Sequence, residues 1–256
     1  MDVLFENFLP VARGKDGDLE RLRMAEFLAA AQQADVRKMQ TLCGMGHNIH
    51  VRDQRGLNAL MMAAVSRQAM MAKWCCASAL GRRDLNHVEP RYSCSALIMA
   101  CSWFPGPGCS TTRSRELSPA LIVGGFPGLV WSLCPSAIDN PACLRILVHA
   151  GTCATDAGKD ILRRQCRIDL LAADCEGNNA MHWAVASGCM RILCYLCMLH
   201  EYHGPHLHAA VQALLQGCNS AGETPLALAT RLNASALVPI LDRAVSISGV
   251  LHYSVF

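Results

Sequence analysis

Apolar residues gather in short helical blocks, and a polar residue suited to starting a helix introduces most of them. Phe27-Leu28-Ala29-Ala30-Ala31 reads as one helix, and Val36, Met39, Leu42 and Cys43 recur at helical spacing in a second. Ala34-Asp35 falls between them as a turn, and Gly46 ends the second helix in a left-handed cap. The order returns after Gly56. Asn58 is placed to cap Ala59-Leu60-Met61-Met62-Ala63-Ala64, and a partner helix follows from about Ala69 to Leu80, with Met70, Met71, Trp74 and Cys75 on its packing side. Ser95 then introduces Ala96-Leu97-Ile98-Met99-Ala100.

After Cys101 the pattern stops. Residues 102–138 hold Pro105-Gly106-Pro107-Gly108, a polar run from Ser110 to Ser114, and an uncharged stretch from Leu117 to Ile138. It resumes at Asn140-Pro141, a cap followed by a first-turn proline, and the block to Gly151 reads as the missing second helix of the third pair. Ser118-Pro119-Ala120-Leu121 offers another helix start, but Ala100 to Ser118 leaves no room for a second helix and a turn, so an insertion is preferred. Shorter inserts are expected near 156–166 and 200–217, the latter partly helical through Ala209 to Leu215. Between and after them come Gly177-Asn178-Asn179-Ala180-Met181-His182-Trp183-Ala184 and Gly222-Glu223-Thr224-Pro225-Leu226-Ala227-Leu228-Ala229, each followed by a second apolar block. The apolar residues from 245 to 256 read as a C-terminal cap or tail.

The matched alanines Ala30 and Ala63 are 33 residues apart, Ala63 and Ala100 are 37 apart, and Ala184 and Ala229 are 45 apart. Thirty-three is the ankyrin-repeat period, and Thr224-Pro225-Leu226 and Asn179-Ala180-Met181-His182 stand where that family has Thr-Pro-Leu-His. The chain resembles a divergent ankyrin-repeat protein with insertions. The resemblance implies an all-α solenoid of stacked helix–turn–helix units joined by β-hairpin fingers. It divides the chain into an N-terminal segment, 1–23, an array of about five repeats, 24–244, and the tail, 245–256.

Composition adds little to this and removes some alternatives. The apolar fraction is 52% but aromatics make up only 5%, which suits close-packed helices. A net charge of +3 gives no global reason to expect nucleic acid. Met1 to Pro10 carries Asp2 and Glu6 and shows no basic n-region, so no signal peptide is expected. The 15 cysteines are scattered among helical positions and read as reduced thiols in a cytoplasmic or nuclear protein. Leu117 to Ile138 has the length of a membrane span, but Pro119, Pro127 and Pro135 break a continuous helix, so membrane association is not the preferred reading.

One cluster suggests chemistry. Cys194, Cys197, His200 and His203, with His206 and His208 beyond, offer thiolate and imidazole ligands at spacings known from zinc sites. Cys194 to Cys197 falls inside a helix and no second ligand pair is evident, so no metal and no cofactor is assigned, and a metal-binding protein stays the alternative. No phosphate loop, nucleophile elbow or paired carboxylates are present, and no enzyme activity is expected. The resemblance instead implies a non-catalytic adaptor or scaffold that binds another protein through its fingers and the concave face of its inner helices. Carried onto this chain, the fingers supply His50, Arg52, Gln54 and Arg55, then Asn86, His87, Glu89, Arg91 and Tyr92, then Cys175 and Glu176. The inner helices supply Met62, Met99, Trp183 and Leu228. Trp183 is the expected anchor, with inter-repeat packing as the equal alternative.

Overall fold

The computed structural model describes residues 15–48, 50–53, 55–77, 84–101, 140–152 and 168–252. The uncharged stretch, the inserts at 102–138 and 156–166, Gln54 and the last four residues lie outside them. Within the described residues the chain is helical: α1 Lys15–Gln32, α2 Val36–Gly44, α3 Ala59–Val65, α4 Ala69–Ala77, α5 Ala96–Cys101, α6 Ala142–Thr152, α7 Ala180–Ala186, α8 Met190–Cys197, α9 Leu199–His203, α10 His208–Gln216, α11 Pro225–Arg231 and α12 Val238–His252. A short 3-10 turn, Pro205–Leu207, joins α9 to α10. Strands are absent among the described residues. Where hairpins were expected there are turns, with two isolated antiparallel bridges, Val88 to Ser95 and Ala173 to Asn179.

The helix starts follow from side-chain caps. Asp35 Oδ1 accepts the Lys38 N–H at 2.9 Å, Asn58 Oδ1 accepts Met61 N–H at 2.8 Å, and Asn179 Oδ1 accepts His182 N–H at 3.1 Å. Asn140 and Thr224 do the same for Ala142 and Ala227. Each bond satisfies an N–H that has no partner within its own helix.

Helix ends follow an equally regular rule. Ala34, Arg67, Gly188 and Asn233 adopt positive φ of 54°, 57°, 64° and 54°. The residue after each returns its N–H to a carbonyl five positions back: Asp35 to Ala30, Gln68 to Ala63, Cys189 to Ala184 and Ala234 to Ala229, at 2.9–3.0 Å. The acceptors are the matched alanines of the sequence pattern. A left-handed residue that turns the chain back onto the last helical carbonyls closes one helix and starts the next. The end of α5, at Cys101, is met differently. There the Arg67 guanidinium donates to the Ala100 carbonyl.

Packing is sequential. α1 lies on α3, α3 on α5, α5 on α7 and α7 on α11; among the second helices α2 lies against α4, α4 against α6 and α8 against α12. α6 also meets α5, the place expected for the second helix of the third pair. Ala63, Ala100, Ala184 and Ala229 are completely buried, so side-chain bulk does not hold the helices apart where they cross. α10 fills the region beside α7, α11 and α12, burying Val211, Leu214 and Leu215. Asn179 fastens it by donating from Nδ2 to the Leu214 carbonyl at 2.9 Å.

Two boundaries differ from expectation. α1 begins at Lys15, well ahead of Met24, and α12 continues to His252 with no break at Val245. Backbone helix propensity can carry a helix beyond the unit that a repeat pattern marks.

The left-handed turns give a paired test. Gly188 has nothing within 4 Å of an added Cβ, so Gly188→Ala meets only backbone strain and is expected to cost about 1 kcal/mol. Ala34→Gly relieves the same strain and is expected to gain up to about 1 kcal/mol. Thermal melts followed by circular dichroism should move by a few degrees in opposite directions; equal signs would show that the turn conformation is not the controlling term.

Candidate functional site

Four turns precede α3, α5, α7 and α11, and one side-chain acceptor builds each, buried in the first three and half-buried in the last. Asp53 Oδ1 takes the N–H groups of Arg55 and Leu57 at 2.9 and 2.8 Å. Asp174 Oδ1 takes those of Glu176 and Asn178 at 2.9 and 2.8 Å. Asn219 Oδ1 takes those of Ala221 and Glu223, both at 3.0 Å. The backbone N–H of the acceptor residue bonds the carbonyl four residues on, Leu57, Asn178 or Glu223. Gly56, Gly177 and Gly222 sit at positive φ of 81°, 77° and 74°, a conformation that glycine takes without a Cβ penalty.

The turn before α5 is one residue longer. Its acceptor is Glu89, whose N–H reaches Cys94, the fifth residue on. The longer side chain spans the longer turn: one carboxylate oxygen accepts Arg91 N–H at 2.9 Å and the other accepts Tyr92 N–H. Ser93, at φ 57°, takes the glycine's place.

The turns are tied to one another. His87 Nε2 lies 3.0 Å from the Gly56 carbonyl, Cys175 N–H donates to the Tyr92 carbonyl at 2.9 Å, and Ser220 N–H donates to the Glu176 carbonyl at 2.8 Å. His50 Nδ1 meets Asp84 Oδ2 at 2.8 Å, and Asn86 Oδ1 accepts Asp169 N–H at 2.7 Å. Asn219 Nδ2 donates to Asn178 Oδ1 at 3.1 Å. These bonds make the four turns one continuous row.

The residues expected to meet a partner divide into two groups. Arg52, Arg55 and Arg91 are exposed at the turns, and His50, His87 and Tyr92 are half-buried between them. Met62, Met99, Trp183 and Leu228 are not at a surface: their exposures are 5%, 2%, 2% and 0%. The expected anchor is therefore corrected. Trp183 packs within the array, and its indole N–H donates to Asp174 Oδ2 at 2.9 Å. Every residue of α7, from Ala180 to Ala186, is buried, so that helix has no outward face from which an anchor could project. Glu89 is corrected likewise, being 4% exposed and turned inward onto backbone N–H groups.

The sequence reading missed Asp174 and Asn219, which stand in their turns as Asp53 does in the first. The signal was present: an Asp or Asn three residues before a glycine, followed by a cap and a helix, occurs at all three places.

His182 supports the row from below. Its Nδ1 accepts the Asn179 N–H at 3.3 Å, leaving Nε2 to donate to the Glu223 carbonyl of the next turn at 2.9 Å. Burial lowers its pKa from the ordinary value, which fits a neutral ring in this role.

The cysteine–histidine cluster does not converge. Cys194 is half-buried on α8, while Cys197 is buried, and burial pushes its thiol up to about 12, against thiolate formation. His203 Nε2 is bound to the Tyr195 hydroxyl at 2.7 Å, and the His200 ring meets His208 edge to face at 5.3 Å between centroids. Among the described residues no three His, Cys, Asp or Glu side chains form a group able to hold a metal ion. Among the same residues no helix is long and apolar enough to cross a membrane. Comparison of the sequence with protein-family models and with curated proteins finds no match.

Two measurements test this account. Asp174→Ala removes an acceptor shared by Glu176, Asn178 and Trp183 and is expected to cost about 3 kcal/mol in urea denaturation; a loss near zero would mean the turn does not depend on it. For His182, the folded pKa lies below the unfolded one, so below about pH 6.5 the unfolded chain binds more protons and stability falls as pH falls. His203, also lowered by burial first, adds to the same slope. The His182→Gln variant should show a shallower loss between pH 7 and 5 than the parent, and an unchanged slope would remove His182 from the balance.

Proposed function

We propose that the chain is a divergent ankyrin-repeat array that binds another protein and performs no chemistry, with the row of turns as its binding surface. The observation that carries this reading is the repetition of one turn, built on Asp53, Glu89, Asp174 and Asn219, at the head of four successive helix pairs. Sequential stacking of the pairs supports it, since such units cannot bury their apolar faces alone and bury them against neighbours instead. The turns stand in the place of the hairpin fingers of that family. They differ from the expected site in one respect: the concave helix face contributes no anchor, because Met62, Met99, Trp183 and Leu228 are buried. Function then rests on side chains at the turn tips and not on the helices beneath. The free thiols of all eleven described cysteines accord with the cytoplasm or the nucleus as the setting.

Affinity capture with quantitative mass spectrometry tests the reading. The wild-type chain is compared with an Arg52→Ala, Arg91→Ala double variant that has an unchanged melting curve. A protein recovered with the wild type and depleted at least several-fold with the variant is the expected result. Equal recovery of the same proteins would move the surface away from the turns, and recovery of none would count against a binding role.

A further inference from the structure

We propose that the first two turns form a docking surface for an acidic segment of the partner, gripped by Arg52 and Arg91. This rests on the protein-binding reading and names the chemistry of its partner. The two turns are held as one unit: Gly56 packs so closely on Pro90 that an added Cβ would lie 2.4 Å from the proline Cδ, and His87 bridges to the Gly56 carbonyl. The backbone next to Arg55 is therefore in contact with the backbone next to Arg91, and Arg52 is on the same turn as Arg55.

The charges there are sorted by depth. The Asp53 side chain is fully buried while that of Arg55, bonded to it, is 68% exposed. Asp84 and Glu89 are buried as well. Asp53 and Glu89 are committed to backbone N–H groups and Asp84 to His50. Among the described residues no carboxylate pairs with the side chain of Arg52 or Arg91, and Arg91 lays its guanidinium over the Tyr92 ring, 5.1 Å from its centre. A guanidinium braced on an aromatic ring keeps its donor edge for an incoming carboxylate, which it binds in a two-pronged geometry.

An acidic peptide fits better than a nucleic acid. The arginines are few, and they offer separate guanidinium forks, not the continuous basic track that a phosphate at every residue calls for. Isolated Asp or Glu side chains engage one guanidinium at a time. Asp169 and Glu176 stand on the far side of the second turn, tied to it at Asn86 and Tyr92, so the acidic segment lies on the side of the first turn.

Selection of a random peptide library displayed on phage against the full-length protein tests this. Enriched peptides are then titrated by fluorescence anisotropy against wild type, Arg52→Gln, Arg91→Gln and the double variant, with a 20-nucleotide polyuridine as the comparison probe. The expected result is enrichment of peptides with two or more Asp or Glu, a loss of about tenfold in affinity for each single variant, and a similar loss when a peptide Glu is changed to Gln. Arg91→Lys should bind more weakly than the parent, since it keeps the charge and loses the fork. Acidic peptides that bind the double variant as they bind wild type would overturn the proposal, and so would polyuridine binding that the double variant loses while no peptide is enriched. Enriched peptides without acids that still protect residues 84–95 from hydrogen exchange would overturn this inference and leave the protein-binding reading standing. Peptides that protect none of the turns, or no enrichment at all, would count against both.

Discussion

The structure depends on a side-chain acceptor beneath each turn. A chain that doubles back before a helix leaves several N–H groups without helical partners, and burying them unmet is costly. Asp53, Asp174 and Asn219 each gather two such groups with one side-chain oxygen. That fixes the direction in which the next helix starts, and hence where the next pair stacks. The turn before α5 shows that the constraint is geometric: one more backbone residue is matched by one more methylene, Glu89 in place of Asp.

Above this network the helices contribute little that is directional. Their crossings are lined with alanine, methionine and cysteine, residues that fill space and tolerate small displacements. Cys75, Cys94 and Cys101 are buried, and burial raises each thiol far above its ordinary range. They act as small apolar side chains and not as reactive ones. Cys175, exposed at a turn, is raised too, by what burial it has and by Asp174 and Glu176 beside it.

Much of this was legible in the sequence, because the helix pairs are specified locally. Asn58, Asn179 and Thr224 announce their helices, and the spacing of Ala63 after Ala30 marks a repeated unit before any coordinate is known. The second helix of the third pair could be found across a long insertion because Asn140-Pro141 is itself a start signal. What could not be read was direction. Met62, Trp183 and Leu228 hold equivalent positions in a repeat, but whether such a position faces solvent depends on neighbouring pairs and on inserted segments such as α10, which are long-range facts. Trp183 also carries a polar group that has to be met, and Asp174, nine residues earlier, meets it; no periodicity records that pairing. The cysteine–histidine run is a related case. Proximity in sequence along α8 and α9 did not become convergence in space.

The Arg67 cap on α5 has a bearing on how this chain tolerates change. At Asp35, Gln68, Cys189 and Ala234 a helix end is closed by the residue that follows the turn, so its closure and its continuation are inseparable. At α5 the Ala100 carbonyl is closed by a side chain from the preceding pair. The third helix pair is thus fastened to the second by a polar bond as well as by the packing of α3 on α5. A substitution at Arg67 would therefore be felt in two places at once, at the turn it occupies and at the end of a helix 33 residues further on.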